Sequence, residues 1–481
     1  MELFRLYQYL FPVLFLTSSL SLYGQPVNRK MNVLFIVADD LRPDLGCYGN
    51  KKVITPNIDK LAAGGVVFNN AYCQQAVCNP SRASVLTGLR PDQTGVTDLV
   101  THFRTKVPDV VTLPQAFKNA GYTSIGVGKI FHNTKHTMDT VSWSLPKAGN
   151  VSVSNKEYFL EKNKKGGKAD AFEFTGGEDE KYPDGQIARE TIQLLKQFKE
   201  SGEPFFLATG FKKPHLPFCA PQKYRDLYQH TRFSGIAYKE RPAGAPAMAF
   251  HQWQELRGYT DIPDQGPISA QKEEDLIHAY YACISYVDVQ IGKIMQELDR
   301  LGLRKNTIVI LWGDHGYHLG EQDLWCKSTN FELDTRIPLI VSAPAIAQKT
   351  GKTDAIVEAV DIYPTLVDLC GITPSAKLSG KSLTPLLLNP GMKWDHVAYS
   401  QFCRPYKAIT AQHPTHMGYT VRDKDFRYTV WYNLNTGSIE ARELYDMRQS
   451  PVETVNLAGQ RKYRQAENKL AQMLKAYKQI Q

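Results

Sequence analysis

Three aspartates and a histidine form the first group of residues that could do chemistry. Asp39 and Asp40 directly follow the apolar run NVLFIVA, and Asp314 and His315 directly follow TIVILWG. This mostly oxygen-bearing set suits a hard divalent cation such as calcium or magnesium, whereas zinc prefers more nitrogen or sulfur. Adjacent carboxylates repel each other, and a bound cation resolves that repulsion. Strand-end aspartates also cap helices, so for Asp39 and Asp40 alone both interpretations stay open.

Cationic side chains on separate segments form a second group. They are Arg82, Lys129, His132, His215 and Lys327. Together they could surround a tetrahedral oxyanion, and a metal held by the aspartates would complete the cage. Each of them alone is more simply explained as a surface charge or as a histidine with ordinary partners. The group gains weight because most of its members follow predicted strands at one sheet edge.

Cys78 stands at the start of a predicted helix, in the segment CNPSRASVLTG. A buried structural thiol, half of a disulfide and a thiolate nucleophile are the direct explanations for it. None of them accounts for Pro80 and Arg82 at fixed offsets from the cysteine. The 8 cysteines of the chain are widely spread without a C-x-x-C pair. That spacing excludes a zinc framework and a dense disulfide scaffold, but it leaves one or two bridges open.

The elements that must hold these residues alternate between apolar runs and helical patterns. Short runs rich in β-branched residues lead into Asp39, Lys129, Lys213 and Asp314, and IPLIVSAP is a further run of this kind. The segments VTLPQAFKNA and EEDLIHAYYACISYVDVQIGKIMQELDRLG carry apolar residues at helical spacing. Strands alternating with helices predict an α/β fold with a mostly parallel sheet covered on both faces. Ligands of such sheets bind outside the carboxyl ends of the strands, where both groups of residues converge.

Length and charge limit the organisation of the chain and its partners. A chain of 481 residues fits one large α/β domain followed by a smaller one. The formal net charge of +9 is scattered rather than clustered, so nucleic acid is a poor partner and an acidic substrate is compatible. The segment 147–184 is rich in lysine, glycine and acidic residues, which predicts a surface insertion.

Three segments are predicted along the chain. Residues 1–25 have one arginine, a short apolar centre and a small polar end, which is typical of a cleavable signal peptide. A membrane anchor is the alternative, but the apolar part is short and contains Pro12, so we expect a periplasmic or secreted protein without stable membrane association. Residues 26–392 are predicted to form the N-terminal catalytic domain. Residues 393–481 are predicted to form a C-terminal subdomain of two or three antiparallel strands and a terminal helix.

The segment around Cys78 resembles a known signature. Residues Cys78–Arg82 followed by Leu86–Gly88 are similar to the sulfatase signature C-x-P-S-R with L-T-G. In that family the cysteine is oxidised during export to formylglycine, an aldehyde whose hydrate is the nucleophile. The segments TPNIDKLAAGGVVFNNAYCQQAVCNPSRASVLTGLRP and ELYDMRQSPVETVNLA also resemble sulfatases in general. GKIFH, KKPHLPF and GDHGYHLGEQDLWCKSTNFE resemble the iduronate-2-sulfatases and their bacterial relatives, which carry Asp-His where many other sulfatases carry Asp-Asn.

The resemblance implies an alkaline-phosphatase-like α/β sandwich, with a small C-terminal domain, and a role for each candidate residue. One calcium ion per chain would be bound by Asp39, Asp40, Asp314, His315 and the modified Cys78. Arg82 would hold the formylglycine hydrate, Lys129 and Lys327 would hold the sulfate oxygens, and His132 and His215 would transfer protons. Tyr317 and His318 lie where substrate contacts are expected, although better-known members of the branch carry tryptophan at the position of Tyr317.

The function that this resemblance implies is the removal of sulfate from a sulfated glycan. The expected group is the 2-O-sulfate of a terminal uronic acid such as iduronate or an unsaturated uronate. The implied partners are a sulfated oligosaccharide and, transiently, a formylglycine-generating maturase. Three alternatives stay open: a sulfatase of other regiochemistry on an algal or host polysaccharide, a phosphonate or phosphate ester hydrolase of the same superfamily, and a glycan-binding protein without catalysis. Complete motifs argue against the last of these.

Overall fold

The computed structural model describes residues 30–480, apart from positions 133, 135, 146–150, 152, 165–168, 234, 345–348 and 411–412. The predicted signal peptide lies outside the described residues. The described strands are β1 (Asn32–Ala38), β2 (Val66–Tyr72), β3 (Thr123–Gly128), β4 (Phe172–Thr175), β5 (Phe205–Phe211), β6 (Phe218–Pro221), β7 (Thr307–Gly313), β8 (His318–Leu319), β9 (Trp325–Cys326), β10 (Arg336–Ile337), β11 (Leu339–Ser342), β12 (Gly351–Glu358), β13 (Ala398–Arg404), β14 (His416–Arg422), β15 (Phe426–Asn433) and β16 (Ile439–Asp446). The described helices are α1 (Pro56–Ala63), α2 (Cys78–Thr87), α3 (Pro91–Thr94), α4 (Leu113–Asn119), α5 (Glu161–Lys164), α6 (Pro183–Ser201), α7 (Gln222–Asp226), α8 (Ala270–Arg300), α9 (Glu332–Thr335), α10 (Ile362–Leu369), α11 (Thr384–Leu388) and α12 (Arg464–Ile480).

The central sheet contains the strands that the sequence predicts. Its order in space is β10-β2-β11-β7-β1-β5-β3, and β12 pairs with β2 outside this path. β3, β5, β1 and β7 run parallel to one another, so their carboxyl ends share one edge. β11, from the run IPLIVSAP, pairs antiparallel with both β7 and β2. The sheet is therefore mixed but mostly parallel, as the alternation of strands and helices predicts.

Helices cover both faces of this sheet, which explains the uninterrupted apolar strands. All 7 residues of β1 are buried. Leu34 and Ile36 pack on one face with residues of α1, α6 and α8. Phe35 and Val37 pack on the other face with residues of α2, α4 and α10. A strand that meets a helical layer on each face has no side for polar residues, so it reads as a continuous apolar run.

A second sheet, in the order β13-β14-β15-β16, is antiparallel throughout and is packed against α12. The sequence predicts two or three strands here, and the structure has four. FRYTVWYN and the segment containing ELYD are strands, as predicted. β13 and β14 were missed because both are buried almost throughout, so that they lack the alternation of a half-exposed strand. The division into domains near residue 392 falls between α11 and β13 and stays a prediction.

The end of β3 and its neighbour β5 approach each other unusually closely at the edge where the carboxyl ends of the parallel strands meet. A side chain at Gly210 of β5 would overlap the backbone carbonyl of Lys129, which directly follows β3. Gly128, the last residue of β3, has φ 75°, a left-handed conformation that glycine adopts without strain. These two glycines let the backbone turn sharply toward Lys129.

Among the described helices, none combines the length and apolar character that crossing a bilayer requires.

Candidate active site

Four strand ends bring the candidate residues to one edge of the central sheet. Ala38 of β1 is in register with Gly313 of β7 and with Phe211 of β5, so these three strands end level with one another. The site residues then follow directly: Asp39 and Asp40 after β1, Lys129 after β3, His215 four residues after β5, and Asp314 and His315 after β7. The structure thus brings the acidic and cationic groups together.

Cys78 is the first residue of α2, a helix that is buried along its whole length. Its thiol is 2% exposed, and its sulfur lies 3.4 Å from Nε2 of His315. Burial raises the pKa of the thiol well above its ordinary value, and nearby Asp39 raises it further. The unmodified side chain is therefore a neutral thiol and a poor nucleophile. The amino end of α2 contributes positive potential, which favours an anionic ligand at this position.

Arg82 is fully buried one turn further along α2 and connects three strand ends. Its Nε donates to Oδ2 of Asp314 at 2.9 Å, and one terminal nitrogen donates to Oδ1 of Asp39 at 3.0 Å. Its other terminal nitrogen donates to the carbonyl oxygens of Lys129 and Ile130. Burial opposes the charge, but Asp314 and Asp39 raise the pKa of Arg82 above its ordinary value. The guanidinium group therefore fixes two of the predicted metal ligands in place.

Asp39 and Lys129 form a buried ion pair next to this guanidinium. Nζ of Lys129 donates to Oδ2 of Asp39, whose Oδ1 already accepts from Arg82. Burial alone would raise the pKa of Asp39, but Lys129 and Arg82 hold it well below its usual range. Burial likewise opposes the charge of Lys129, and Asp39 still raises the pKa of this lysine. Asp39 is thus ionised and Lys129 protonated near neutral pH.

Asp40 is buried with one carboxylate oxygen unused. Its Oδ2 accepts from Nζ of Lys327 at 3.0 Å, whereas Oδ1 has no hydrogen-bond partner among the described residues. Nε2 of His315 lies 3.4 Å from that oxygen. Burial raises the pKa of Asp40 to about 7; Lys327 and His315 oppose the rise, and the charges of Asp39 and Glu255 add to it. A buried carboxyl group in this state needs a further positive partner.

The predicted metal ligands lie close enough to share one cation. Asp39, Cys78, Asp314 and His315 each offer a ligand atom, and these atoms lie within 4.8 Å of one another. A second, overlapping group within the same limit consists of Asp39, Asp40, Cys78 and His215. Two of the four ligand atoms in each group are carboxylate oxygens, and the unused Oδ1 of Asp40 lies beside them. The donor set therefore fits a hard divalent cation.

His132 and His215 are half-buried and lie on the more open side of this cluster. Nδ1 of His132 is buried without a hydrogen-bond partner within the described part of the chain. Burial, reinforced by Lys129, lowers the pKa of His132 to about 3. Nε2 of His215 lies 4.0 Å from Oδ2 of Asp40, and burial together with Lys327 lowers its pKa well below the ordinary value. Both imidazoles are thus neutral near pH 7 in the metal-free protein.

Two residues of the site were missed by reasoning from the sequence. Oε1 of Glu255 accepts from Nζ of Lys327 at 2.7 Å and lies 3.3 Å from Nε2 of His215. Glu255 belongs to the loop FHQWQELRG, which has no apolar alternation and follows no strand, so no local signal points to it. The hydroxyl of Ser81 donates to the backbone carbonyl of Asp314. Its place beside Arg82 in the signature is the signal that could have identified it.

Tyr317 and His318 are not brought to the surface of the site. Tyr317 is 1% exposed, stacks on Tyr280 with ring centroids 5.2 Å apart, and donates from its hydroxyl to Sγ of Cys326 at 3.2 Å. His318 is fully buried between Oδ1 of Asp334 at 2.6 Å and Oε1 of Gln322 at 2.9 Å. Neither ring offers an exposed face to a sugar, because each is already packed against structural partners.

All 8 cysteines, which fall within the described residues, are free thiols, so the bridges that the sequence left open are absent.

Comparisons with known proteins agree with this arrangement. The sulfatase family model matches residues 31–372, and the model for the C-terminal region of N-sulphoglucosamine sulphohydrolase matches residues 320–480. The chain is 34% identical to iduronate 2-sulfatase of Homo sapiens in an alignment that covers 89% of this chain and 91% of that protein. It is 31% identical to a sulfatase of Formosa agariphila over 476 residues, covering 90% of this chain and 84% of that protein.

The overall fold is shared with solved structures. A protein solved in complex with its substrate, D-glucosamine-2-N,6-O-disulfate, matches with a TM-score of 0.76 and 24% identity, covering 94% of this chain and 98% of that one. At that level of identity the match establishes the alkaline-phosphatase-like fold. The family model covers well over half of the chain, and the matched region contains every predicted site residue. The chain therefore belongs to the type I sulfatase family and is an enzyme that hydrolyses sulfate esters.

Proposed function

We propose that this sulfatase removes the 2-O-sulfate from a terminal uronic acid, such as iduronate or an unsaturated uronate, of a sulfated glycan. The observation that carries the proposal is the meeting of Cys78 with a buried acidic cluster and two lysines at one sheet edge. The proposal that the substrate sugar is a uronic acid is supported by the similarity to iduronate 2-sulfatase, which extends over most of both chains. We place the enzyme in the periplasm or outside the cell.

Oxidation of Cys78 to formylglycine, by a maturase that binds transiently during export, is part of the proposal. The hydrated aldehyde would supply the oxygen that attacks sulfur. Two features of Cys78 support this modification. Its raised pKa makes the unmodified thiol a poor nucleophile, and its position at the amino end of α2 suits a bound anion.

A single calcium ion is the metal that we propose for the acidic cluster. It would be held by Asp39, Asp40, Asp314, His315 and residue 78. When bound, such an ion polarises the sulfate and lowers the pKa of a coordinated hydroxyl group. The support within this chain is the buried Oδ1 of Asp40, which has no hydrogen-bond partner among the described residues, beside the crowded acids.

The cationic residues divide between sulfate binding and proton transfer. Burial opposes the charges of Lys129 and Lys327, but their acidic partners raise the pKa of each, so both lysines stay protonated and can hold sulfate oxygens. His215, or Lys327 beside it, protonates the sugar oxygen as the sulfur–oxygen bond breaks, because an alkoxide is a poor leaving group. Lys327 is already protonated for this step, whereas His215, which is neutral in the metal-free protein, would first have to take up a proton beside the substrate anion. His132, with its pKa of about 3, is neutral near pH 7 and serves as the base that completes turnover. Arg82 holds the nucleophile and the carboxylates of Asp39 and Asp314 in place.

The experiment that tests this function starts from protein co-expressed with a formylglycine-generating maturase. Mass spectrometry of the Cys78 peptide first establishes that the thiol has been converted. Disaccharides sulfated only at O2 of the uronate, or only on the hexosamine, are then offered and the products separated. Sulfate release from the O2 substrate alone is the expected result. Release of sulfate from another position instead would show that the enzyme is a sulfatase of different regiochemistry. Release of phosphate or phosphonate in preference to sulfate would overturn the proposal.

A further inference from the structure

Glu255 is presented to the active site by an anchored loop. Trp253, two residues earlier, is 8% exposed and has φ 55°. Its indole Nε1 donates to the carbonyl oxygen of Asp323 at 2.8 Å, and the guanidinium group of Arg257 lies 4.5 Å from its ring centroid. These contacts hold the loop on both sides of Glu255, so that this carboxylate has a defined position relative to the sheet edge.

The two oxygens of Glu255 are used unequally. Oε1 accepts from Nζ of Lys327 at 2.7 Å and lies 3.3 Å from Nε2 of His215. Oε2 has no hydrogen-bond partner among the described residues. The side chains of Glu255 and His215 are 21% and 28% exposed, whereas that of Lys327 is 4% exposed. Glu255 and His215 therefore form the open side of the site, where a ligand can reach them.

Lys327 can serve this carboxylate and a substrate sulfate together. Its ammonium group has three donors. One is used by Oδ2 of Asp40 at 3.0 Å and one by Oε1 of Glu255 at 2.7 Å. The third is left for a sulfate oxygen. Glu255 can thus stay in place when an anionic substrate binds, because the lysine between them neutralises both negative groups.

The position of the leaving oxygen follows from the acid that protonates it. Whether that acid is His215 or Lys327, its donor atom already contacts Oε1 of Glu255, so the leaving oxygen must lie beside this carboxylate. An oxygen on the neighbouring sugar carbon is only three bonds from the leaving oxygen, namely one carbon–carbon and two carbon–oxygen bonds, so it also lies near this carboxylate. On a 2-O-sulfated terminal uronate that oxygen belongs to the 3-hydroxyl group.

We propose that Glu255 is a specificity-determining residue whose Oε2 accepts a hydrogen bond from the hydroxyl group next to the sulfated position of the sugar. The inference rests on the proposed function for the identity of that hydroxyl group. A carboxylate at this position binds a neutral hydroxyl donor. It repels a sugar in which that neighbouring hydroxyl oxygen carries a second sulfate, because both groups are negatively charged. The site is thus specific for a sugar in which only one of the two neighbouring oxygens is sulfated.

The test compares kcat/KM for three substrates of the matured enzyme: the O2-sulfated uronate disaccharide, its 3-deoxy analogue and its 2,3-disulfated form. We expect the wild-type enzyme to prefer the 3-hydroxyl substrate over the 3-deoxy analogue by roughly 10- to 100-fold, the range for a hydrogen bond to a charged group. Glu255→Ala should reduce that ratio to within about twofold and should raise the relative rate on the disulfated substrate. Because each ratio is measured within one variant, a general loss of activity from a displaced Lys327 cancels.

Two controls keep the result specific. Glu255→Gln retains the volume and one acceptor oxygen, so we expect an intermediate ratio and a native unfolding transition. Glu240→Gln changes an exposed acid on the preceding surface segment and should leave all three rates unchanged. A wild-type enzyme that treats the 3-hydroxyl and 3-deoxy substrates alike would overturn the inference, as would an unchanged ratio in Glu255→Ala.

Failure of the proposed function can be recognised separately. If the O2-sulfate is not released but another sugar sulfate is, the regiochemistry is wrong and the role of Glu255 is still open to measurement. The same comparison is then made on the substrate that is cleaved, with and without the hydroxyl next to its sulfate. Loss of the hydroxyl preference in Glu255→Ala on that substrate would support the inference, and its persistence would overturn it.

Discussion

Two clusters of buried charge, one at the active site and one between the two sheets, use their carboxylates in opposite ways. Oε1 of Glu332 accepts from the hydroxyl of Tyr72 at 2.7 Å, and Oε2 accepts from Arg427 at 2.6 Å and Arg422 at 3.2 Å. Burial would raise the pKa of Glu332, but the two arginines lower it to about 2. Asp40 is equally buried, yet its pKa rises to about 7 and one of its oxygens has no partner among the described residues.

This difference separates a structural cluster from a functional one. Both oxygens of Glu332 are matched by protein groups, so this carboxylate has its partners in the isolated chain. In the active-site cluster the carboxylates of Asp39, Asp40 and Asp314 lie close together, and Oδ1 of Asp40 accepts no hydrogen bond from the described residues. A buried polar group without a partner costs about 1–3 kcal/mol, and such a cost is concentrated where a ligand supplies the missing partner. The comparison predicts that changes in the first cluster act on stability and changes in the second act on catalysis and ligand binding.

The largest expected effect comes from Cys78→Ser. Serine retains the size of the side chain but lacks the second hydroxyl group of the aldehyde hydrate, so a sulfated serine could not expel its sulfate and sustained release should fall by about a thousandfold or more. The free energy of unfolding should change little, because the hydroxyl occupies the same buried space. Sulfate release and denaturant unfolding, measured on both proteins after identical co-expression with the maturase, check the two halves of this prediction.

Cys370→Ser is the matched control, since Cys370 is a half-buried free thiol outside the site. It should retain the rate of the unchanged enzyme. Turnover by Cys78→Ser at a rate close to that of Cys370→Ser would contradict the proposed nucleophile.

Arg427→Met should act mainly on stability. Removing one arginine leaves Glu332 and Glu453 buried with too little positive charge, which costs about 3–5 kcal/mol of unfolding free energy. The rate per folded molecule should stay within about twofold, because the active site keeps its own partners. The control is Arg448→Met, which breaks a pair whose arginine is half exposed and should change the free energy of unfolding little. A large loss of rate with unchanged stability would remove the distinction between the clusters.

Asp40→Asn should stabilise the chelated, metal-free protein at high pH. The pKa of Asp40 is raised, so the folded state holds its proton between about pH 4 and pH 7, and stability falls as pH rises through that range. The variant removes this loss of stability and should gain up to about 4 kcal/mol at pH 8 relative to the unchanged protein, with no gain below about pH 4. Denaturant unfolding across this range in a chelator gives the measurement.

Asp39→Asn is the matched control with the opposite sign. The pKa of Asp39 is lowered, so its charge contributes stability above the unfolded value, and that stability is lost as pH falls through the folded value. This variant should therefore be less stable than the unchanged protein at pH 8. Equal shifts in the same direction for both variants would show that the two carboxylates do not differ as described.

The smallest expected effect is a thermal shift on adding calcium. If the acidic cluster binds the ion, calcium should raise the Tm of the chelated protein by about 2 °C, and Asp40→Asn should reduce that shift. Arg448→Met should show the full shift, because its change lies outside the site. No shift in the unchanged protein at millimolar calcium would argue against the proposed metal.

The sequence predicts the parallel strands and the residues at their ends well, because a strand between two helical layers is a continuous apolar run. Asp39, Asp314 and Lys129 follow such runs and meet at one edge. The antiparallel direction of β11 could not be predicted, because an apolar run carries no information about direction. β13 and β14 were missed for a related reason, since buried antiparallel strands lose their alternation.

The rest of the site depends on contacts between distant segments. Glu255 reaches Lys327 across 72 positions of the chain through a loop without periodicity. The burial of Tyr317 and His318 is decided by Tyr280 and Asp334, which come from other elements. Residue types near a strand end therefore indicate chemistry, but only tertiary packing decides which of them are exposed to a ligand.

Gly210 shows that few amino acid types can be tolerated at the edge of the central sheet that carries the active site. Any side chain there would displace the Lys129 carbonyl, which also accepts from Arg82, and the disturbance would reach Asp39 and Asp314 through that guanidinium group. A library with every amino acid at position 210 should therefore yield active clones with glycine alone, although glycine has no side chain to take part in the chemistry. Searches for improved variants would do best to leave this position fixed and to diversify the loop around Glu255 instead.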